Sequence, residues 1–170
     1  MTDPIKKHVI AILVDNEFGA LARIVDLFSS RGYNIESLNV APITKDKKIS
    51  RITITTEGTS KTINLICKLL NRIVAVYRAV ELTKEEGYIE RELCLVKIIG
   101  NEEKREKAIK IADKYRTNIV DISDDSIVFE IIGTSDTIDE VIDKLDVLGL
   151  EGVSRTGVAA GFKGVKKLNE

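Results

Sequence analysis

The sequence predicts an α+β protein built from two βαββαβ units with antiparallel sheets, and three observations lead there. Apolar residues switch between a period of two and a period near 3.6 in the order strand, helix, strand, strand, helix, strand, and the order then begins again. A six-residue stretch, Gly58-Thr59-Ser60-Lys61-Thr62-Ile63, returns as Gly133-Thr134-Ser135-Asp136-Thr137-Ile138, and Asn34-Ile35 returns as Asn118-Ile119. With 44% hydrophobic and 31% charged residues, the chain has enough apolar material for packed cores and is far from a disordered composition.

His8 to Val14 is an almost continuous apolar run, as a buried strand requires, and it stops at the polar turn Asp15-Asn16-Glu17. Beyond Gly19, the residues Leu21, Ile24, Val25 and Phe28 repeat at helical spacing, and Arg31-Gly32 provides the stop. Asn34 to Pro42 and Ile49 to Glu57 are the expected arms of a hairpin around Lys45-Asp46-Lys47-Lys48. Ile63, Ile66, Cys67 and Leu70 mark a second helix, and Val74 to Leu82 a closing strand with Val74, Val76, Val80 and Leu82 expected on one face. Thr83-Lys84-Glu85-Glu86-Gly87 separates the halves, giving an expected division into residues 1–82 and 83–170.

The second half repeats the plan. It shows a strand at Glu92 to Ile99, a helix carrying Ala108, Ile111, Ala112 and Tyr115, and a hairpin of Asn118 to Ser123 with Ser126 to Gly133. A helix with Ile138, Val141, Ile142 and Leu145 and a last strand near Gly152 to Ala159 complete it. Thr59-Ser60 and Thr134-Ser135 stand where helix caps are needed. Right-handed crossovers place both helices of each unit on one sheet face, so the opposite face and an edge strand need a cover, for which pairing between subunits is expected.

Several function classes find little support. The formal net charge is -1, positive in the first half and negative in the second, so no global field attracts phosphates or acidic membranes. Cys67 and Cys94 are not in a CxxC spacing and the chain has one histidine, which leaves no usual zinc set; two buried reduced thiols are expected. The start of the chain carries no apolar signal core and Val9 to Val14 is too short to span a bilayer, so a cytoplasmic location is expected. No nucleophile, P-loop or metalloprotease motif occurs, His8 reads as structural, and Asp121, Asp124 and Asp125 fit turn chemistry. RNA-recognition domains share the βαββαβ order, but the central strand Ile49 to Thr55 has no aromatic residue on which bases could stack.

The informative segment is Asp15-Asn16-Glu17-Phe18-Gly19-Ala20-Leu21. It ends a strand and opens a helix, where unpaired amide groups beside a residue with no side chain can receive a small carboxylate. The other reading is a tight turn shaped by Gly19, with Asn16 or Glu17 as the cap. Gly19→Asp separates them: a ligand site predicts retained stability with lost effector response, whereas a positive φ predicts that alanine and aspartate both cost stability.

Asn16-Glu17-Phe18-Gly19-Ala20-Leu21-Ala22-Arg23, Phe28-Ser29-Ser30-Arg31-Gly32-Tyr33-Asn34-Ile35-Glu36-Ser37-Leu38 and Val40-Ala41-Pro42 together resemble the acetolactate (acetohydroxyacid) synthase small regulatory subunit. The likeness continues through Ser50 to Ile54, Glu90 to Leu93 with Leu95 to Lys97, and Arg155 to Val158, and so covers nearly the whole chain. The resemblance implies two ferredoxin-like domains, an N-terminal ACT domain that binds effector and an ACT-like domain that docks partners. It also implies a non-catalytic subunit that activates the catalytic chain and confers feedback inhibition by valine in branched-chain amino-acid biosynthesis. Thiamine diphosphate, magnesium and FAD are then expected on the catalytic partner and none on this chain. The implied effector site lies between two ACT domains of a homodimer and uses Asn16, Gly19, Ala20 and Leu21 of the loop with Asn34 and Ile35 of the strand start. The alternative is a stand-alone ACT sensor controlling another enzyme or transcription, since a fold does not fix a function.

Overall fold

A computed structural model describes residues 3–84 and 87–168. Glu85 and Glu86 of the expected linker lie outside the described residues. The chain is α+β, with two antiparallel sheets and, among the described residues, four helices. It divides into two compact units, residues 1–89 with 158–170, and residues 90–157. The first unit thus runs past the expected break at 82 to residue 89 and also takes in the end of the chain.

In the first unit, β1 (Lys6–Asp15), β2 (Ser37–Pro42), β3 (Ile49–Gly58) and β4 (Val76–Glu81) form a sheet in the order β2-β3-β1-β4. Helices α1 (Ala20–Ser29) and α2 (Ser60–Leu70) carry Ile24, Phe28, Ile63, Ile66 and Leu70 onto Ile10, Ile12, Val14, Ile52 and Ile54. The buried face of α1 is Ala20-Ile24-Phe28, with Leu21 left exposed on the flank. β1 has its other face buried too, because Val9 and Ala11 meet Leu82, Val158 and Leu168. This explains the unbroken apolar run that marked it in the sequence.

The returning segment is the strand that periodicity merged with its predecessor. β8 (Leu150–Arg155) ends before Gly157, whose φ of 75° turns the chain, and β9 (Ala159–Phe162) follows. Val158 N–H donates to Ser37 Oγ at 3.5 Å, Arg51 Nη2 donates to the Ala160 carbonyl, and Lys163 N–H donates to the Gly87 carbonyl. The outer sheet face is thus covered in part by the chain itself.

β4 departs from the expected alternation. Val14 pairs with Val76 and Leu13 with Arg78, leaving Tyr77 as an extra residue, so Val76 faces the helices while Val80 and Leu82 face away. Val74 precedes the strand and is fully exposed.

The second unit repeats the plan with β5 (Tyr88–Ile99), β6 (Thr117–Ile122), β7 (Ser126–Gly133) and β8 in the order β6-β7-β5-β8, under α3 (Glu102–Ala112) and α4 (Ser135–Asp146). Its core joins Val96, Ile98, Ile127, Phe129 and Ile131 to Ala108, Ile138, Val141 and Leu145. A bulge recurs at the matching place, between Lys97 and Ile98 opposite β8. Both expected caps form: Thr59 Oγ1 accepts from Thr62 N–H at 3.2 Å and Thr134 Oγ1 from Thr137 N–H at 3.3 Å. Asp124 and Asp125 lie in the tight turn closed by Ser123 N–H on the Ser126 carbonyl at 2.9 Å.

Candidate functional site

The loop from Asp15 to Gly19 is fastened at three points. Asp15 N–H donates to the Ala75 carbonyl at 2.8 Å, Asn16 N–H to the Lys48 carbonyl at 2.7 Å, and Asn16 Nδ2 to the Lys47 carbonyl at 2.7 Å. The hairpin turn that receives Asn16 is itself fixed by Lys47 N–H on the Thr44 carbonyl, with Lys47 in the left-handed region at φ 55°. Tyr77, thrown outward by its bulge, donates its hydroxyl to Asp15 Oδ1 at 2.5 Å. Neither the hairpin carbonyls nor Tyr77 was identifiable from the sequence, since backbone acceptors leave no residue signature and the bulge shifts Tyr77 off the strand alternation.

Gly19 is the residue before α1 and has φ 80° and ψ -6°. A left-handed backbone is why glycine stands there. A Cβ at Gly19 would meet nothing within 4 Å, so the surroundings are open as well. The positive φ bears out the reading of Gly19 as a residue required by the turn, the open space leaves room for a ligand beside it, and the expectation that aspartate retains stability gives way to a cost in conformation.

At this start α1 differs from the other helices. α2, α3 and α4 each have a side-chain oxygen at the N-cap, from Thr59, Asn101 and Thr134, whereas Gly19 offers none and the first turn of α1 has no acidic residue. Ala20 N–H reaches the Glu17 carbonyl at 3.3 Å; the amide groups of Leu21 and Ala22 have no acceptor among the described residues. Glu17 is turned to an ion pair with Arg23. The result is a helix terminus with partial positive charge, open to solvent and flanked by exposed Phe18 and Leu21.

Asn34 and Ile35 are elsewhere. The Asn34 carbonyl accepts from Thr56 Oγ1 at 2.6 Å and its Nδ2 donates to Glu36, while Ile35 packs against the core. In the β1–β3 register Thr56 faces His8 and Ile49 faces Asp15, so the two groups lie at opposite ends of the sheet. Seven residue steps of β3 separate them, or about 24 Å at 3.4 Å per residue. One chain thus brings Asn16, Gly19, Ala20 and Leu21 together and leaves Asn34 with Ile35 apart.

His8 is buried, with its ring nitrogens 2.6 Å from Glu81 Oε1 and 3.2 Å from the Gly58 carbonyl, a structural tie between β1, β3 and β4. Among the described residues no group of three or more His, Cys, Asp or Glu could hold a metal ion, and no helix is long and apolar enough to cross a membrane.

Comparison with known proteins bears on both units. Residues 10–78 match the small-subunit-like ACT domain of acetohydroxyacid synthase, and residues 91–161 match the small subunit of acetolactate synthase. The chain belongs to the acetolactate synthase small-subunit family. The probable acetolactate synthase small subunit of Archaeoglobus fulgidus is 40% identical over 161 residues, covering 95% of this chain and 99% of that one. The Escherichia coli acetolactate synthase isozyme 3 small subunit is 38% identical, covering 94% and 98%. A crystal structure of the Thermotoga maritima small subunit superposes with a TM-score of 0.83 at 29% identity, covering 94% of this chain and 98% of that one. Small-subunit membership places this chain with the ferredoxin-like ACT fold and not with the catalytic chains of that synthase.

Proposed function

We propose that this small-subunit homologue activates the acetolactate synthase catalytic subunit and confers on it feedback inhibition by valine. The observation that carries the proposal is the start of α1: a helix terminus with neither side-chain cap nor acidic residue, at a left-handed glycine with open space before it. Unpaired amide groups and the helix dipole would hold the carboxylate of an amino acid, and Leu21 would meet its aliphatic side chain. Asn16 keeps its Oδ1 for an ammonium group while Nδ2 holds the hairpin. Because Asn34 and Ile35 lie about 24 Å away along the sheet, they complete the site only if a second copy presents them, which supports a homodimer through the ACT domains.

In this reading the second unit docks partners. Its matching loop, Gly100-Asn101-Glu102-Glu103-Lys104, starts α3 with an Asn101 cap and two acidic residues, which disfavours an anion there. Thiamine diphosphate, magnesium and FAD would belong to the catalytic chain, nucleic acid has no part, and the work is cytoplasmic. The test is to add the purified chain to an acetolactate synthase catalytic subunit. Activity should rise and become sensitive to valine, and calorimetry should give a dissociation constant in the tens of micromolar, as about -0.75 kcal/mol for each of roughly 8 heavy atoms implies. Pyruvate turnover by the isolated chain, or no activation, would refute the reading.

A further inference from the structure

On the sheet face away from the helices, the first unit encloses a cleft of about 590 Å³. Leu13 and Ile49 from the sheet and Phe162 and Leu168 from the returning end of the chain supply apolar surface; Leu168 is 8% exposed. Arg51, Lys166 and Lys167 also line it, and no Asp or Glu does among the described residues. Lys166 Nζ stands 4.8 Å from the centre of the Phe162 ring. The volume and the mixture of apolar walls with a few polar groups are those of a small-molecule site.

Arg51 is the decisive residue. It projects from near the start of β3, opposite Leu13, and burial lowers the pKa of its guanidinium from the ordinary value. Removing a cation from water is costly unless a counter-charge compensates it. Among the described residues, the one hydrogen bond of its guanidinium is to a neutral carbonyl, that of Ala160, and no carboxylate pairs with it. The guanidinium has five N–H donors, so capacity for an anion remains.

We propose that this cleft is a second ligand site, distinct from the start of α1, that takes a small organic carboxylate with an apolar body. The carboxylate would pair with Arg51 near the lysines, and the body would lie on Leu13, Phe162 and Leu168. The walls also reach the loop that opens α1: Tyr77 lines the cleft and holds Asp15, and the hairpin that contributes Thr44 and Ile49 receives Asn16. Occupancy of the cleft is therefore felt at residues 15–19. The proposal does not depend on the identity of the effector bound at α1.

The test is a titration of the full-length chain followed by amide nitrogen–proton NMR, with three probes: hexanoate, hexylammonium and acetate. Hexanoate should give saturable shifts at Leu13, Tyr77 and Gly161, with smaller ones at Asn16, while hexylammonium gives none there and acetate does not saturate at the same concentrations. Arg51→Gln should weaken hexanoate binding by about tenfold or more, the loss of a charge-assisted hydrogen bond, and Arg51→Lys should restore part of it. Should Arg51→Gln disturb the fold by freeing Ala160, the exposed pair Lys166→Gln with Lys167→Gln must still weaken binding. Equal shifts from hexylammonium would reduce the cleft to an apolar patch and overturn the proposal. So would unsaturable hexanoate shifts, shifts centred elsewhere, or indifference to all these substitutions.

Discussion

Replacing Gly19 separates what its backbone requires from what its position recognises. An L-residue held in the left-handed region loses about 1–2 kcal/mol, and replacing glycine by alanine returns about 0.4–1 kcal/mol by restricting the unfolded chain. With nothing within 4 Å of an added Cβ, no clash adds to this, so Gly19→Ala should cost about 1 kcal/mol and lower the melting temperature by about 4 °C. Asn and Asp enter this region more easily than Ala, so Gly19→Asn and Gly19→Asp should melt between native and Gly19→Ala. The two differ in charge. An aspartate would set its own carboxylate before the unpaired amides of Leu21 and Ala22, so Gly19→Asp should lose valine binding while Gly19→Asn keeps it within a few-fold. Scanning calorimetry and a valine titration of each variant decide the matter. Gly19→Ala melting at or above native would refute the backbone argument, and equal valine affinity of the Asn and Asp variants would refute the anion site.

In the second unit, Arg155 grips Glu92 with Nε at 2.9 Å and Nη2 at 2.7 Å and reaches Asp139 at 2.5 Å. Burial pushes the Glu92 carboxyl up, but the hydrogen bonds and charge of Arg155, with help from Ser135 and the Gly157 backbone, hold it below its usual value. The stabilisation is present above the unfolded value of about 4.3 and is lost as pH falls through the lower folded value. The melting temperature should therefore drop through that acid range, and Glu92→Gln should flatten the drop. Glu92→Ala should cost about 2 kcal/mol in a denaturant titration, less than for a fully buried pair because Arg155 is 31% exposed. Leu82→Ala, at a fully buried position against Val158 and Leu168, should cost about 3 kcal/mol and raise hydrogen exchange in β9. The Cys67 thiol, pushed up to about 11 by burial with Glu81 adding to the effect, should resist a thiol reagent at pH 8 until the chain unfolds.

The faces of the core elements were legible because their codes are local. Ile63-Ile66-Leu70 and Ile138-Val141-Leu145 display a helical stripe, Thr59 and Thr134 announce the helix starts that follow them, and the Gly133 end of β7 falls where the turn chemistry put it. Two signals were present but ambiguous. Val158, Ala160 and Phe162 alternate as a strand should, yet Gly157 had to be seen with φ 75° before β9 could be divided from β8. Val74 to Leu82 alternates cleanly in letters, but the extra residue at Tyr77 reverses the facing of everything before it.

The sequence by itself determined the two βαββαβ units, the amphipathic faces of their helices and the loop at Gly19, because spacings of two to four residues carry that information along the chain. The tertiary structure decided that residues 158–168 cover the outer sheet face, through contacts such as Arg51 with Ala160, more than a hundred positions apart. It also decided that Asn16 and Asn34 stand at opposite ends of one sheet, since register and strand length, not proximity in sequence, set the distance between them.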